Sequence, residues 1–483
     1  MGGCTAGWRA RGLTGFGTGH PSLRVRAYPV AGRPGSGLHW AVAPSRACPS
    51  PHANREEPHS VADRVALLKR ELWAEIDRRQ NELARLCADG LKIPAENPPG
   101  DTRAIADHYA AVLERAGLPV ERFEPRPTNV SLVSTLPGRQ ARPRFVLNGH
   151  LDHFPADDPA LWSFPPYGGR IEDGRILGRG VADMRGGLTA SLFTCLLLHE
   201  HRVPLQGPVT LMMVADEEAG GAWGTGWLLE HRPELAGDAC MIGEPEAPTG
   251  VRIGEKGKCQ FRLVAEGASR HGGLGTGDDV VVQVAAALQE ARKIVELPDD
   301  PPGELFPVLE TMAHYWRTEL DRGRQWLYRH PSMTAGLIRG GIKVNVVPRR
   351  CEVEVDCRLP FGITPEAIRR DVEDRLAAAG LHQVRFEPMP PWFVASYTSP
   401  QAPLVRLARA NAAAATGQEP LLTITFAATD ARYFRPRGVP TVIFGPRPNN
   451  MAALDEFITV EDLVAVTKVH LATALDVLAD PGP

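Results

Sequence analysis

The sequence has no long uninterrupted apolar run and almost no net charge. No apolar stretch in its 483 residues reaches the roughly 18 residues that a membrane-spanning helix needs. The net charge of −3 is too balanced to favour binding to nucleic acid or to a membrane surface. Apolar residues make up 43% and charged residues 23%, which is typical of a soluble globular chain. We therefore predict no nucleic-acid or membrane partner, and the length favours two domains.

Cysteines are few and form no CxxC pair. Eight cysteines are scattered along the chain, which in a protein of this length indicates reduced, mostly buried thiols and not a disulfide framework. This pattern predicts a cytoplasmic protein. The glycines of GGRIEDGRILGRG also lack GxGxxG spacing after a strand, which argues against a dinucleotide-binding site.

Residues 1–60 lack hydrophobic periodicity and are rich in glycine, proline, arginine and serine. We expect a disordered N-terminal extension, because such a composition cannot bury a core. The segment has no continuous apolar region of the kind that a secretory signal contains. A transit peptide, a disordered tail and an over-long start remain open as interpretations.

Polar motifs at the ends of apolar strands are the most informative feature of the sequence. In NGHLDHFP, His150 and Asp152 end one strand, and Asp183 follows on a glycine-rich turn before an apolar helical run. An imidazole can bind a metal while a carboxylate holds its other ring nitrogen. In α/β folds, ligands bind where the end of a strand opens onto a helix.

Two further strand ends carry acids. Glu217 and Glu218 follow the apolar run VTLMMV, and Glu244 follows CMI. Because neighbouring residues on an extended chain point apart, the adjacent glutamates can take different roles. In chain order, His/Asp, Asp, Glu/Glu and Glu predict the site of a metal-dependent hydrolase.

Together with SRHGG and GGIKVNVVP, these motifs resemble the M20 metallopeptidases over about residues 62–478. Strands that alternate with helices predict an α/β fold with a largely parallel, two-sided sheet. The order β-α-β-β-α-β after Lys256 is that of a small ferredoxin-like unit. We therefore expect a discontinuous catalytic domain, residues 61–255 and 397–483, and an inserted ferredoxin-like α+β lid or dimerisation domain, residues 256–396.

The resemblance implies a ligand role for four residues. His150, Asp183 and Glu244 bind one metal ion, and Asp183 bridges to a second ion that Glu218 binds. Zn²⁺ is the expected ion, with Co²⁺ or Mn²⁺ as alternatives. The resemblance also implies a homodimer, in which an unbroken strand through residues 254–263 could pair between protomers.

The resemblance assigns further roles around the metal. Asp152 orients the histidine ligand, and Glu217 is the general base that takes a proton from a metal-activated water and passes it to the leaving amine. Three residues are expected to bind or support the substrate. His271 reaches across the dimer, while Asn345 and Arg358 match positions linked to a substrate carboxylate. For Arg358, a structural ion pair remains an alternative. Thr429 and Asp430 match a segment near the substrate pocket.

One segment departs from the family pattern. Family members usually have a metal-binding histidine shortly before an Asp-Glu pair near the C-terminus. Here the segment is GPRPNNMAALDEF, and Ala452 stands in the expected position. Asn449 and Asn450 are the polar residues nearby, and a neutral amide is a poor zinc ligand. We therefore expect a second metal that is weak, replaced by a harder ion, or absent.

The motifs predict hydrolysis of the amide bond of an N-acyl amino acid or a small peptide. They are common to deacylases, dipeptidases and carboxypeptidases of the family, and a deacylase is slightly preferred. The alternative is a catalytically silent family member that binds an amino-acid-like ligand. The missing histidine supports that alternative, whereas the intact Glu217 argues against it.

Overall fold

The computed structural model describes residues 61–315 and 324–478. The predictions for residues 1–60 lie outside this part of the chain. The strands are β1 (Glu121–Arg126), β2 (Asn129–Leu136), β3 (Phe145–His150), β4 (Arg170–Glu172), β5 (Arg175–Leu177), β6 (Val209–Val214), β7 (Ala239–Ile242), β8 (Gly250–Glu255), β9 (Gly257–Glu266), β10 (Arg270–His271), β11 (Ser332–Gly340), β12 (Val346–Val347), β13 (Arg350–Leu359), β14 (Val384–Phe393), β15 (Ser396–Tyr397), β16 (Leu421–Thr425), β17 (Thr441–Ile443) and β18 (Phe457–Thr459).

The α-helices cover much of the remaining described chain. They are α1 (Val61–Arg78), α2 (Gln80–Leu91), α3 (Arg103–Arg115), α4 (Gly186–Glu200), α5 (Trp227–His231), α6 (Val280–Ala291), α7 (Phe306–Tyr315), α8 (Arg324–Leu327), α9 (Pro365–Ala378), α10 (Pro403–Thr416), α11 (Ala431–Phe434) and α12 (Val460–Leu478).

The large sheet is a mixed sheet with a parallel centre. Its strand order is β1-β2-β6-β3-β7-β17-β8-β15, with β16 also paired to β8. Strands β6, β3, β7 and β17 run parallel to one another, whereas β2 is antiparallel to β6 and β8 is antiparallel to β17. The prediction of an α/β sheet is confirmed, but the sheet is mixed: β16 runs parallel to β8 outside the parallel centre, and other neighbouring strands are antiparallel. Strands β1 and β2 form a hairpin, and a hairpin connection makes its strands antiparallel.

Both faces of this sheet are covered. On β3, Phe145 and Leu147 pack into a cluster with residues of α4 and α12, and Val146 packs into a second cluster with residues of α5 and α11. Alternate side chains of a strand point to opposite faces, so the two clusters lie on the two sides of the sheet.

Helix α4 lies in this core. The stretch Val181–Glu200 is long and apolar enough to cross a membrane by length and composition alone, but 89% of its most apolar window is buried inside the protein. Because the helix is buried on all its faces, apolar residues occur on all of them.

A second sheet of four antiparallel strands has the order β11-β13-β9-β14 and its own hydrophobic cluster with α6 and α9. The sequence KVNVVPRRCEVEVDCRLP predicts two strands around a proline turn, and β12 and β13 lie there. β12 pairs with β10, however, and the strand beside β13 in the four-stranded sheet is β11. The expected unbroken strand 254–263 is wrong. It is divided at Lys256 into β8 and β9, and β9 is paired on both edges, with β13 and β14.

Two smaller features bring distant parts of the chain together. Strands β18, β5 and β4 form a three-stranded sheet that places the C-terminal loop before β18 beside the turn that carries Asp183. Leu305 and Leu309, which fall within the predicted inserted domain of residues 256–396, pack into the main cluster of the large sheet.

Candidate active site

The predicted site residues meet at the carboxyl edge of the parallel strands. His150 ends β3, Glu217 and Glu218 follow β6, and Glu244 follows β7. Asp183 lies in the turn before α4. Parallel neighbouring strands end at the same edge of a sheet, which explains why residues distant in sequence come together here.

The ring of His150 is the centre of this cluster. Its Nε2 atom lies 3.1 Å from Oδ1 of Asp183 and 3.5 Å from Oε1 of Glu244, and the histidine side chain is buried. Ligand atoms of His150, Asp183 and Glu218 lie within 4.8 Å of one another, as do those of His150, Glu217 and Glu244. The structure thus brings together all four predicted metal ligands.

The electrostatics of the cluster fit a bound cation. Burial, followed by the charge of Asp183, raises the pKa of Glu218 and that of Glu244 well above the ordinary value. Burial disfavours the charged form of His150, but the hydrogen bond with Asp183 and the nearby carboxylates outweigh it and raise the pKa of the ring. Crowded, buried acids repel one another, so a divalent cation would supply the missing positive charge. One imidazole and several carboxylates form a donor set that suits Zn²⁺.

Asp152 differs from its predicted role. Nδ1 of His150 is hydrogen-bonded to the backbone oxygen of Asp152 at 2.9 Å, while Oδ1 of the Asp152 carboxylate lies 3.7 Å from the same nitrogen. The carboxylate instead accepts hydrogen bonds from the backbone N–H groups of Glu217 and Glu218, at 3.3 and 3.2 Å, and from Nδ2 of Asn97 at 2.8 Å. The ring is therefore oriented by a carbonyl, and the Asp152 side chain holds the Glu217–Glu218 turn in place.

A buried ion pair fixes the turn of Asp183, and no sequence motif predicts it. Glu456 accepts a hydrogen bond from the backbone N–H of Ala182 at 2.8 Å, and its other oxygen pairs with Arg179 at 2.5 Å. Both side chains are at most 2% exposed. In the family pattern, the acidic pair Asp455–Glu456 only marks the place where the missing histidine is expected. The fold brings Glu456 to the residue next to a predicted ligand.

An arginine lies against the proposed base. Nη1 of Arg432 is 3.0 Å from Oε1 of Glu217, and both side chains are buried. Burial raises the pKa of Glu217, and the positive charge of Arg432 opposes this rise. Nearby, burial and the charge of Glu217 raise the pKa of Asp430 to about 7. Thr429 and Asp430 of the segment AATDARYF are predicted to lie near the substrate pocket. The resemblance gives no role to Arg432 in the same segment.

The three predicted substrate residues have contacts within their own region of the chain. His271 is exposed, and its Nδ1 accepts a hydrogen bond from Gly273. Asn345 is exposed, and its backbone oxygen accepts a hydrogen bond from Gly272. Arg358 pairs with Asp356 on its own strand at 2.9 Å, which matches the alternative of a structural ion pair.

The C-terminal loop adds no strong ligand to the site. In the described part of the chain, the candidate metal-binding groups contain no histidine, cysteine, aspartate or glutamate from residues 449–455. Ala452 is exposed with a φ of 59°, in the left-handed region. The side-chain amides of Asn449 and Asn450 donate to backbone oxygens of their own loop. The candidate group that contains Asp183 and Glu218 is completed by His150 and not by this loop.

Known proteins resemble this chain along most of its length. Residues 146–476 match the family model for Peptidase family M20/M25/M40. A succinyl-diaminopimelate desuccinylase of Rhodospirillum centenum is 28% identical over 399 residues, which cover 80% of this chain and 94% of the relative. An N-formyl-4-amino-5-aminomethyl-2-methylpyrimidine deformylase of Halalkalibacterium halodurans is 26% identical, covering 83% of this chain and 95% of the relative.

The fold is also that of solved structures. An M20 family metallo-carboxypeptidase from Sulfolobus solfataricus superposes with a TM-score of 0.70 at 18% identity, covering 81% of this chain and 98% of that chain.

Proposed function

Because the chain belongs to peptidase family M20/M25/M40 and is a hydrolase of amide bonds, we propose that it removes the acyl group of an N-acyl amino acid in a metal-dependent reaction. The observation that carries this proposal is the convergence of His150, Asp183 and Glu244 beside Glu217. The preference for a deacylase is supported by the two relatives described above, since a desuccinylase and a deformylase both release an acyl group.

We propose Zn²⁺ as the ion, with Co²⁺ or Mn²⁺ as alternatives, and His150, Asp183 and Glu244 as the residues that would hold it. Three protein ligands leave one position open, as in catalytic zinc sites. A divalent ion bound there would lower the pKa of a water molecule and polarise the substrate carbonyl. The second position, with Asp183 and Glu218, would bind an ion weakly.

Glu217 is the proposed general base. Its carboxylate takes a proton from the attacking water as the oxygen–carbon bond forms, and it gives that proton to the leaving nitrogen as the carbon–nitrogen bond breaks. The products are a carboxylate and an amine. Asp152 supports this step, because its side chain holds the backbone N–H groups of Glu217 and Glu218.

The four-stranded sheet with α6 and α9 is the proposed lid and dimerisation domain. Its own hydrophobic cluster supports the division of the chain at about residues 256 and 396. His271, Asn345 and Arg358 belong to this region, and we propose that they serve substrate binding when a second protomer completes the site.

In the described part of the chain, β11 and β14 are the two edge strands of this sheet, and the edge of β11 supports a homodimer. β11 pairs with β13 on one side, and in the described part of the chain no strand pairs with its other side. Apolar side chains around this edge are exposed, namely Leu274, Leu337, Ile338, Ile342 and Val344. An unpaired edge strand beside exposed apolar residues is suited to pairing with a second copy.

We also propose a cytoplasmic location. The cysteines of the described residues, Cys87, Cys195, Cys240, Cys259, Cys351 and Cys357, are all buried and free. Free thiols are typical of a reducing compartment.

A panel of N-acyl amino acids and dipeptides tests the proposed activity. With Zn²⁺, Co²⁺ or Mn²⁺ added, we expect the wild type to release free amine from N-succinyl, N-acetyl or N-formyl substrates. Glu217→Gln should bind the same amount of metal but lose at least about 100-fold in kcat, since it cannot accept the proton. Glu246→Gln is the matched control, because Glu246 pairs with Arg252 outside the cluster.

No turnover of any substrate with all three metals would contradict the proposed activity. Amino-acid binding that does not depend on metal would then favour the catalytically silent alternative. Full turnover in Glu217→Gln would remove the proposed base.

A further inference from the structure

We propose that Arg432 is a positioning residue that holds the carboxylate of Glu217 for proton transfer, an inference that rests on the proposed function of Glu217 as the base. The two residues are far apart in sequence and are brought together by the fold. The Nη1–Oε1 distance is 3.0 Å, and the side chains of Arg432 and Glu217 are 4% and 9% exposed. A carboxylate this deeply buried has little water to hold it, so its position depends on its protein partners.

The guanidinium is fixed by two aromatic rings. Its central carbon lies 4.8 Å from the ring centre of Phe393 and 5.3 Å from that of Tyr433. The hydroxyl of Tyr433 donates a hydrogen bond to the backbone oxygen of Gly220 at 2.6 Å. Gly220 directly follows the short turn that carries Glu217. The aromatic support of the arginine is therefore tied to the same turn as the base.

A chain of buried polar contacts connects this arginine to the strand of the metal ligand. Asn148, two residues before His150 on β3, donates to Oγ1 of Thr225 at 3.1 Å. Thr225 donates to Oδ2 of Asp430 at 2.7 Å, and Oδ1 of Asp430 lies 3.9 Å from Nη2 of Arg432. The arginine thus has an acid on either side, which limits its movement.

The contact suits a base that must remain able to accept a proton. The 3.0 Å approach is an ion pair without hydrogen-bond alignment, since within the described residues Oε1 of Glu217 has no hydrogen-bond donor. The carboxylate therefore keeps its lone pairs available. An arginine also cannot deliver a proton to the base, because it stays protonated in proteins.

Kinetics of three variants separate positioning from general stability. Arg432→Met should lower kcat by about 100-fold, as expected for a misplaced reacting group, with KM changed by less than about threefold. Arg432→Lys should recover at least about tenfold of that loss, because a positive charge is restored. Arg435→Lys is the matched control. Arg435 is equally buried but faces Glu255, at 3.6 Å, and it should retain kcat within about threefold.

A double-mutant cycle in the unfolding midpoint tests the same contact without any turnover. The proteins are compared at equal metal content. Glu217→Gln should be less destabilising, or more stabilising, when Arg432 is already methionine than when Arg432 is present, because only in the second case does the substitution remove the partner of a buried charge. This result would support the contact even if the substrate panel showed no activity, so failure of the proposed function can be told apart from failure of this inference.

Three results would overturn the inference. The first is additive midpoint shifts in the cycle. The second is a raised KM with unchanged kcat in Arg432→Met, which would indicate substrate binding instead. The third is an equal loss of kcat in Arg435→Lys, which would indicate a general structural role.

Discussion

The ring of His150 and the proposed base Glu217 are each held by specific atoms of other residues. The backbone oxygen of Asp152 holds the ring of His150, while the Asp152 carboxylate holds the backbone N–H groups of residues 217–218. Arg432, distant in sequence, contacts Glu217 through tertiary packing.

The buried ring of His470 gives a pH dependence of stability. Its Nε2 donates to the backbone oxygen of Phe444 at 2.7 Å, and burial lowers its pKa from 6.5 to about 4. Between these values the unfolded chain binds a proton on this ring and the folded chain does not. Stability therefore rises with pH through this window and is lost as pH falls below about 6.5.

The size of this effect can be measured by urea unfolding at pH 7 and pH 4.5. The ring should account for up to about 3 kcal/mol of the fall in the free energy of unfolding. His470→Gln, which can still donate to Phe444, should show a smaller fall, while His382→Gln at an exposed position should match the wild type. An identical fall in all three proteins would contradict this account of His470.

At the scale of elements, regular hydrophobic patterns predict strands that the structure contains, whereas a strand without such a pattern is not predicted. Strand β6 coincides with the apolar run VTLMMV, and β7 contains the run CMI, because each is a continuous apolar pattern. The sequence of β11, SMTAGLIRG, has no clear alternation and most of its residues are exposed, so no pattern predicts this strand. A strand at the edge of a sheet needs little burial, so its sequence carries little signal.

The loop before β18 supports the turn of Asp183 through Glu456. Glu456→Gln should leave Arg179 buried without a counter-charge and lower the free energy of unfolding by about 3 kcal/mol. It should also weaken metal binding about 10-fold or more, because Glu456 holds the turn that carries the proposed ligand Asp183. Chemical unfolding and a zinc titration measure the two effects.

Glu172→Gln serves as the control for this prediction, because its pair with Arg170 is exposed and should contribute less than about 1 kcal/mol. Equal stability and equal zinc affinity in Glu456→Gln and the wild type would show that the ion pair does not support the turn.

For the whole molecule, the α/β class followed from the alternation of strands and helices, whereas the assembly could not be derived in the same way. The edge available for pairing depends on strand order, which is set by long-range contacts. The resemblance pointed to residues 254–263, but within the described residues the edge strands of the four-stranded sheet are β11 and β14.

The proposed dimer predicts that charges on this edge separate the protomers. Leu337→Glu combined with Ile338→Glu should convert a dimer into a monomer, because buried, unpaired charges oppose association. Light scattering after size-exclusion chromatography measures the mass. Ile171→Glu, which also replaces an exposed apolar residue but on β4, should leave the dimer intact. A wild type that is monomeric at all concentrations would contradict the proposed assembly.

The metal content per chain, measured by elemental analysis together with turnover, tests the proposed metal-dependent hydrolysis. We expect one tightly bound ion and measurable hydrolysis in the wild type, and two ions in Ala452→His. Met451→His, at the neighbouring exposed position, should still bind one ion. Two ions in the wild type would mean that another residue supplies the missing ligand. No bound metal, with no hydrolysis after metal is added, would contradict the proposed metal-dependent activity.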